Sequence, residues 1–118
     1  MAITLDGTIG ITANSFTEGV AAIGNSSTSQ TISLTNGTFQ TVTMNNNCTF
    51  AMPTATAGKG FILILTQDSV GSRTATFTGV KWPANTAPVI TPTANTGRDI
   101  ISFISDGTNW YGGAVQNY

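Results

Sequence analysis

Residues 60–67 of the chain, Gly-Phe-Ile-Leu-Ile-Leu-Thr-Gln, decide how the protein is expected to fold. Residues 61–65 form an unbroken apolar run, which has the length of a β-strand and falls far short of the roughly 20 residues that cross a membrane. Such continuous runs are typical of strands that are covered on both faces. The stretch therefore predicts a central, doubly covered strand over Gly60–Gln67.

The two stretches before this strand alternate between apolar and polar residues, as half-buried strands do. Residues 30–44 alternate on both sides of Asn36-Gly37. Asn-Gly is the preferred pair for a type I′ turn, because both central residues need positive φ, so residues 30–44 are predicted to form a β-hairpin. Residues 48–52 alternate in the same way until Pro53, which ends a strand because proline lacks an amide donor.

The chain after residue 67 shows the same alternation, interrupted by one proline-rich stretch. Residues 73–78 alternate between threonine and apolar residues, which predicts another short strand. Residues 99–105 and 110–116 flank a turn at residues 106–109 and are predicted to form a second hairpin. Residues 82–96 contain three prolines and are expected to be an extended loop or an edge segment.

The first 29 residues have a different pattern. Residues 3–11 alternate and predict a small ribbon, while Ser-Phe-Thr-Glu at residues 15–18 matches a capping box and predicts one or two helical turns. Residues 25–29 are polar and are interpreted as a linker. We interpret residues 1–29 as an arm that packs on a neighbouring subunit; the alternative is an edge strand of the same body.

These patterns define the expected fold class. Thr, Val, Ile and Phe suit a pleated, half-buried surface, and turn residues recur at short intervals. The sequence predicts an all-β single domain: an antiparallel β-sandwich or jelly-roll-like module over residues 30–118, preceded by the N-terminal arm, ribbon and linker of residues 1–29.

Composition narrows the classes of function. The 118 residues include no histidine, one cysteine, four Lys or Arg and five Asp or Glu, with a net charge of −1. Without histidine, the chain lacks the general base that enzymes use most often. Nucleic-acid binding needs clustered Lys and Arg, and the four cations of this chain are scattered singly. The sequence contains no basic amphipathic helix of the kind that binds a membrane surface. The sequence therefore predicts a protein that assembles or recognises rather than an enzyme, without cofactor, metal, nucleic acid or membrane as partner.

Few residues are candidates for a site. Cys48 has no histidine to activate it, so we expect a small buried hydrophobe. The carboxylates nearly all lie at turns or caps, where Asp accepts hydrogen bonds from backbone amides. The remaining candidates are aromatic and would contact glycan or a partner protein, or else fill the core with each indole N–H bonded at its rim: Trp82, Trp110 and Tyr111.

Several segments occur in an order that resembles a β-rich module of virion structural proteins in tailed bacteriophages, cyanophages among them. The most specific of them are Lys81-Trp82-Pro83 and Asp106-Gly107-Thr108-Asn109-Trp110-Tyr111-Gly112. The resemblance covers roughly residues 30–118. The other segments that carry it are Phe61–Asp68, Gly71–Thr74, Thr86–Pro88, Thr91–Ala94 and Asp99–Phe103.

The resemblance implies a virion component without enzymatic activity, usually a homotrimer. The chain has no heptad, collagen-like or other periodicity that would build a fibre shaft. We therefore expect a capsid decoration (cement) protein, made in the host cytoplasm and bound to the major capsid protein or another virion protein. The alternative is a tail-fibre or receptor-binding tip protein that contacts cell-surface glycan.

Overall fold

Nine strands in two sheets make up the computed structural model, which describes residues 14–118. Residues 14–118 contain no α-helix, only two short 3-10 turns, Leu34–Asn36 and Pro83–Asn85. The strands are β1 (Val20–Asn25), β2 (Ser29–Thr31), β3 (Phe39–Met44), β4 (Cys48–Ala51), β5 (Gly60–Gln67), β6 (Ala75–Thr78), β7 (Val80–Lys81), β8 (Arg98–Ser105) and β9 (Trp110–Val115).

The first six strands wind alternately through the two sheets. β1, β3 and β5 lie side by side and parallel in a six-stranded sheet, and β2, β4 and β6 lie parallel in a three-stranded sheet. Each coil of chain therefore passes once through each sheet, as in a short solenoid. Val20 pairs with Phe39 and Phe39 with Ile62, so the two coils are 19 and 23 residues long.

The C-terminal hairpin completes the larger sheet. β8 runs antiparallel beside β5, β9 returns antiparallel beside β8, and the two-residue β7 pairs parallel with β9. The strand order is β1-β3-β5-β8-β9-β7. This arrangement places β5 and β8 in the middle of the sheet and leaves β1 at one edge.

Aromatic rings join the two sheets into one hydrophobic core. Phe50 and Phe77 stack within the small sheet at 4.9 Å between ring centroids, and Phe61 and Phe103 stack within the large sheet at 4.8 Å. Phe77 and Phe103 meet across the interior at 5.3 Å. The body is therefore one folding unit, because neither sheet could bury its apolar face alone.

Buried polar side chains hold the crossover loops. Gln40 donates from Nε2 to the carbonyls of Ser33 and Gly37. Gln67 donates to the carbonyl of Arg73 and accepts from its amide. These amides replace the ladder bonds that a strand would supply, since buried backbone groups must find partners.

The carboxylate of Asp99, also buried, fastens the proline-rich segment and the C-terminus. It accepts hydrogen bonds from the amide and hydroxyl of Thr91 and from the amide of Asn117. Residues 82–96 thus stay close to β8 although they form no strand.

Three sequence predictions are confirmed. Cys48 and Phe50 of β4 are buried and Pro53 follows the strand. Ala75 and Phe77 of β6 pack against the core. The C-terminal hairpin forms between β8 and β9. The coarse class, a β-rich single domain, is also what the structure has.

The predicted antiparallel pairing is wrong for most of the molecule. Five of the seven strand pairings are parallel and two are antiparallel, so a jelly roll, which is built from antiparallel strands, is not confirmed. The hairpin over residues 30–44 does not form. Asn36-Gly37 does turn the chain, with Gly37 at φ 104°, but it ends a 3-10 turn that leads from the small sheet into the large one.

The predicted helical turns after Ser15 are also wrong. Val20–Asn25 is strand β1, and the Glu18 carboxylate accepts a hydrogen bond from the Thr38 hydroxyl at 2.5 Å instead of capping a helix. Pairing with β3 overrides the capping pattern. Residues 20–25 therefore follow the edge-strand alternative, whereas the ribbon predicted over residues 3–11 lies outside the described residues.

Candidate interaction surface

The outer face of the six-stranded sheet is the most distinctive surface of the described chain. In β5, Phe61, Leu63 and Leu65 are buried in the core, and Ile62 and Ile64 point the other way because side chains alternate along a strand. The pairing register places apolar residues of five strands on this outer face: Val20, Phe39, Ile62, Ile64, Ile100, Ile104, Tyr111 and Val115.

This face corrects the prediction that Gly60–Gln67 is covered on both sides. Ile62 and Ile64 are only half-buried, and the three-stranded sheet packs on the opposite face. β8 likewise carries apolar residues on both faces, with Ile101 and Phe103 inside and Ile104 outside. The central strands thus have the composition of doubly covered strands, but residues 14–118 supply a covering layer on one face alone.

The C-terminal hairpin carries three exposed side chains along the β8–β9 side of the outer face, a group that we call the hairpin patch: Ile104, Tyr111 and Val115. Ile104 is 66% exposed and Val115 62%. With Val20, these residues account for four of the eight large exposed hydrophobic residues in the described chain. Contiguous exposed apolar surface of this kind marks an interaction site more often than scattered single residues do.

The other half of the outer face is a shallow groove of about 470 Å³. Threonine side chains supply most of its polar lining, and Arg98 stands at one end, where its Nε donates to the hydroxyl of Thr66. We call this the threonine groove: Ala22, Thr41, Thr43, Ile64, Thr66 and Arg98. Lys81 on β7 is the other cation on this face, beside Tyr111 at the far edge of the sheet.

The three aromatic residues that the sequence singled out do not share one surface. Trp110 is buried; its indole N–H donates to the carbonyl of Pro53 at 2.8 Å, which matches the core alternative. Tyr111, the next residue of β9, faces outward and is 42% exposed, and its hydroxyl donates to the Asp106 carboxylate at 3.0 Å. The alternation of β9 separates them.

Trp82 lies between core and surface. Its ring packs edge-on against Phe77 and Phe103, and a Cβ added at Gly112 would lie 2.5 Å from it, so glycine there makes room for the indole. Its other side lines a hollow of about 360 Å³ together with Pro88 and the exposed Val89. This hollow is the second candidate surface.

The remaining polar residues have structural roles. Cys48 is buried, and burial raises the pKa of its thiol. Asp68 accepts hydrogen bonds from the amides of Val70 and Gly71 and forms an ion pair with Arg73 at 2.9 Å. Cys48 is thus in the core as predicted, and Asp68 and Asp106 are turn carboxylates. The prediction is wrong for Asp99, which is buried in β8, and for Glu18, which caps no helix.

Within residues 14–118, no group of three or more His, Cys, Asp or Glu side chains could hold a metal ion. No helix of the described chain is long and apolar enough to cross a membrane.

We expect the stability of the fold to be flat between about pH 6 and 8, because the chain has no histidine and no other side chain with an ordinary pKa in that range. Hydrogen bonds from Arg73 lower the pKa of Asp68, and those from the amides of Asn109 and Thr108 lower that of Asp106, below the ordinary 3.8. Their contribution is therefore present above pH 3.8 and is lost as pH falls through the lowered values.

Alkaline pH acts through the buried thiol. Since burial raises the pKa of Cys48 above its ordinary 9.0, the unfolded state ionises first and stability falls above that pH. Urea unfolding midpoints measured across the pH scale check both limits. A sharp change of the unfolding midpoint near pH 7 would contradict the expected flat stability between about pH 6 and 8.

Comparison with known proteins finds no match: no family model, no curated protein and no solved structure matches the chain. The outer face was not predicted from the sequence as a site. The signal that could have identified it is the unbroken run at residues 61–65, which supplies an apolar side chain to each face of β5.

Proposed function

We propose that the chain is a virion structural protein, a capsid decoration (cement) protein that binds the outside of a shell in many copies and stabilises it. The carrying observation is the outer face of the large sheet, which is apolar across its central strands and has no second layer among residues 14–118. Strands with two apolar faces are normally covered on both. A neighbouring subunit of the assembly, such as a second copy of this chain, would supply the missing cover.

Further support comes from composition and from the resemblance. The low charge leaves little repulsion between copies, and threonine hydroxyls of the outer face offer hydrogen bonds to a partner. The Lys-Trp-Pro and Asp-Gly-Thr-Asn-Trp-Tyr-Gly segments resemble those of phage virion proteins, from which the trimeric state and the major capsid protein as partner are inferred.

The test is the copy number in purified particles, measured by quantitative mass spectrometry against the major capsid protein. Hundreds of copies per particle are expected, together with earlier rupture on heating of particles that lack the protein. A handful of copies, or particles equally stable without it, would overturn the cement role.

The alternative is a receptor-binding tip that contacts cell-surface glycan. The observation in its favour is the hollow beside Trp82, where Pro88 and Val89 form an apolar wall next to an indole ring. Val89→Asp should then abolish binding to host polysaccharide. If the unmodified protein binds no host polysaccharide, this alternative is ruled out.

Removal of residues 1–19 should weaken docking or oligomerisation more than it lowers the free energy of unfolding. The cut leaves β1 and its pairing with β3 in place, whereas a cut after residue 24 would remove most of an edge strand. Particle binding and urea unfolding of the truncated chain, beside the full chain, measure the two effects. Loss of folding in the truncated chain would show that these residues belong to the body.

A further inference from the structure

We infer that two copies of this chain associate through their outer faces, with the hairpin patch of each copy seated in the threonine groove of the other. This inference adds the contact surface and its geometry to the proposed self-assembly. It rests on shape, charge and composition of one face and does not depend on where the protein is located.

Shape supports a second copy as the occupant. The outer face carries both exposed apolar side chains along the β8–β9 hairpin, the hairpin patch, and a shallow concave half, the threonine groove. A surface with both features can match itself, since in a two-fold interface each patch meets its counterpart reciprocally. β-Branched and apolar side chains such as Ile104 and Val115 suit a groove walled by threonine methyls and Ile64.

Charge supports the same occupant. Among the described residues Arg98, in the groove, has no carboxylate partner, because the one ion pair there joins Arg73 and Asp68. Asp106 lies beside the patch and bonds the hydroxyl of Tyr111. A seated patch would therefore carry a carboxylate of one copy toward the free guanidinium of the other, twice per pair.

The size of the face is adequate. Five strands about 4.8 Å apart and about seven residues long give a face of roughly 24 Å by 23 Å. Two such faces together exceed the ~1,000 Å² that distinguishes specific contacts from incidental ones. A trimer built on other surfaces would keep this contact free to join copies of different trimers.

The main test compares two valines of similar exposure. Val115 lies in the hairpin patch and is 62% exposed, while Val70 lies in a loop away from the outer face and is 67% exposed. Sedimentation velocity from about 1 µM to about 500 µM, a range suited to an interface of this size, should show self-association of the unmodified chain. Val115→Lys should weaken it about tenfold or more, because the docked ammonium would be buried unpaired in a groove that already holds the guanidinium of Arg98.

Val70→Lys should leave the association unchanged. A monomer at every concentration, or equal effects of the two lysines, would overturn the inference. Neither result would affect the copy-number test of the proposed function, which is made on particles.

A second measurement covers variants that fold poorly. Thr41→Cys protein mixed with Ile104→Cys protein should form a mixed disulfide, because groove and patch face each other in the pair. The native thiol, Cys48, is buried and gives little background. Thr41→Cys mixed with Val70→Cys is the control; equal yields in the two mixtures would refute the seating of patch in groove.

Discussion

Phe103→Ala should lower the free energy of unfolding by about 3–5 kcal/mol, the largest effect that we expect from a single substitution in this protein. Phe103 is 1% exposed and touches rings from both sheets, stacking on Phe61 and meeting Phe77 across the core. Truncation therefore leaves a cavity at the point where the two layers are joined. Urea denaturation at low protein concentration measures the change.

Phe16→Ala is the matched control, because Phe16 is 75% exposed and its loss opens no cavity. It should change stability by less than about 0.5 kcal/mol. A Phe103→Ala effect as small as the control would mean that the sheets are not held together through this ring.

Leu63→Ala should cost about 2–5 kcal/mol. Leu63 is fully buried at the centre of β5, where the register places it between Gln40 of β3 and Ile101 of β8. Both neighbours are themselves buried, so the surrounding strands have little room to collapse into the space.

Ile104→Ala, on the outer face of β8, provides the comparison for Leu63→Ala. In the monomer it should cost well under 1 kcal/mol, since most of that side chain is already in water. Similar costs for the two variants would show that β5 is not the central strand of the core.

Local pattern was sufficient to predict several of the individual strands. The apolar run at residues 61–65 and the alternation at residues 99–105 and 110–116 correspond to β5, β8 and β9. Cys48 was correctly expected in the core for the same reason. Each of these features depends on burial of one strand face, and the alternation of apolar and polar residues along a strand shows that burial directly.

The order in which the chain connects the strands could not be predicted from the sequence, because it depends on pairing between strands that are far apart in the chain. An Asn-Gly pair such as Asn36-Gly37 can end a hairpin turn or a turn that leads into another sheet, and its residue types do not distinguish the two. In this protein the preceding segment pairs within the small sheet and buries Ile32, so the chain crosses to the large sheet. The coils of 19 and 23 residues have unequal lengths and no shared motif, so no repeat signals the winding. The capping-box pattern of Ser15 and Glu18 failed for the same reason, since pairing of β1 with β3 replaced the predicted helix.

The site was predictable only in part. Trp82, Trp110 and Tyr111 were identified by type, but which of them reaches the surface follows from the phase of β9 and from the space left at Gly112. The outer face is assembled from five strands that are far apart in sequence, and no single segment displays it.

The winding of the strands also determines how the protein acquires its structure. Only the β8–β9 pairing is local, with Ser105 and Trp110 five residues apart, while every other described pairing joins residues at least 18 apart. Long loops must close before those contacts form, which places refolding in the slow, millisecond-to-second range. The hairpin around Trp110 should form first, and the parallel coils should assemble on it afterwards.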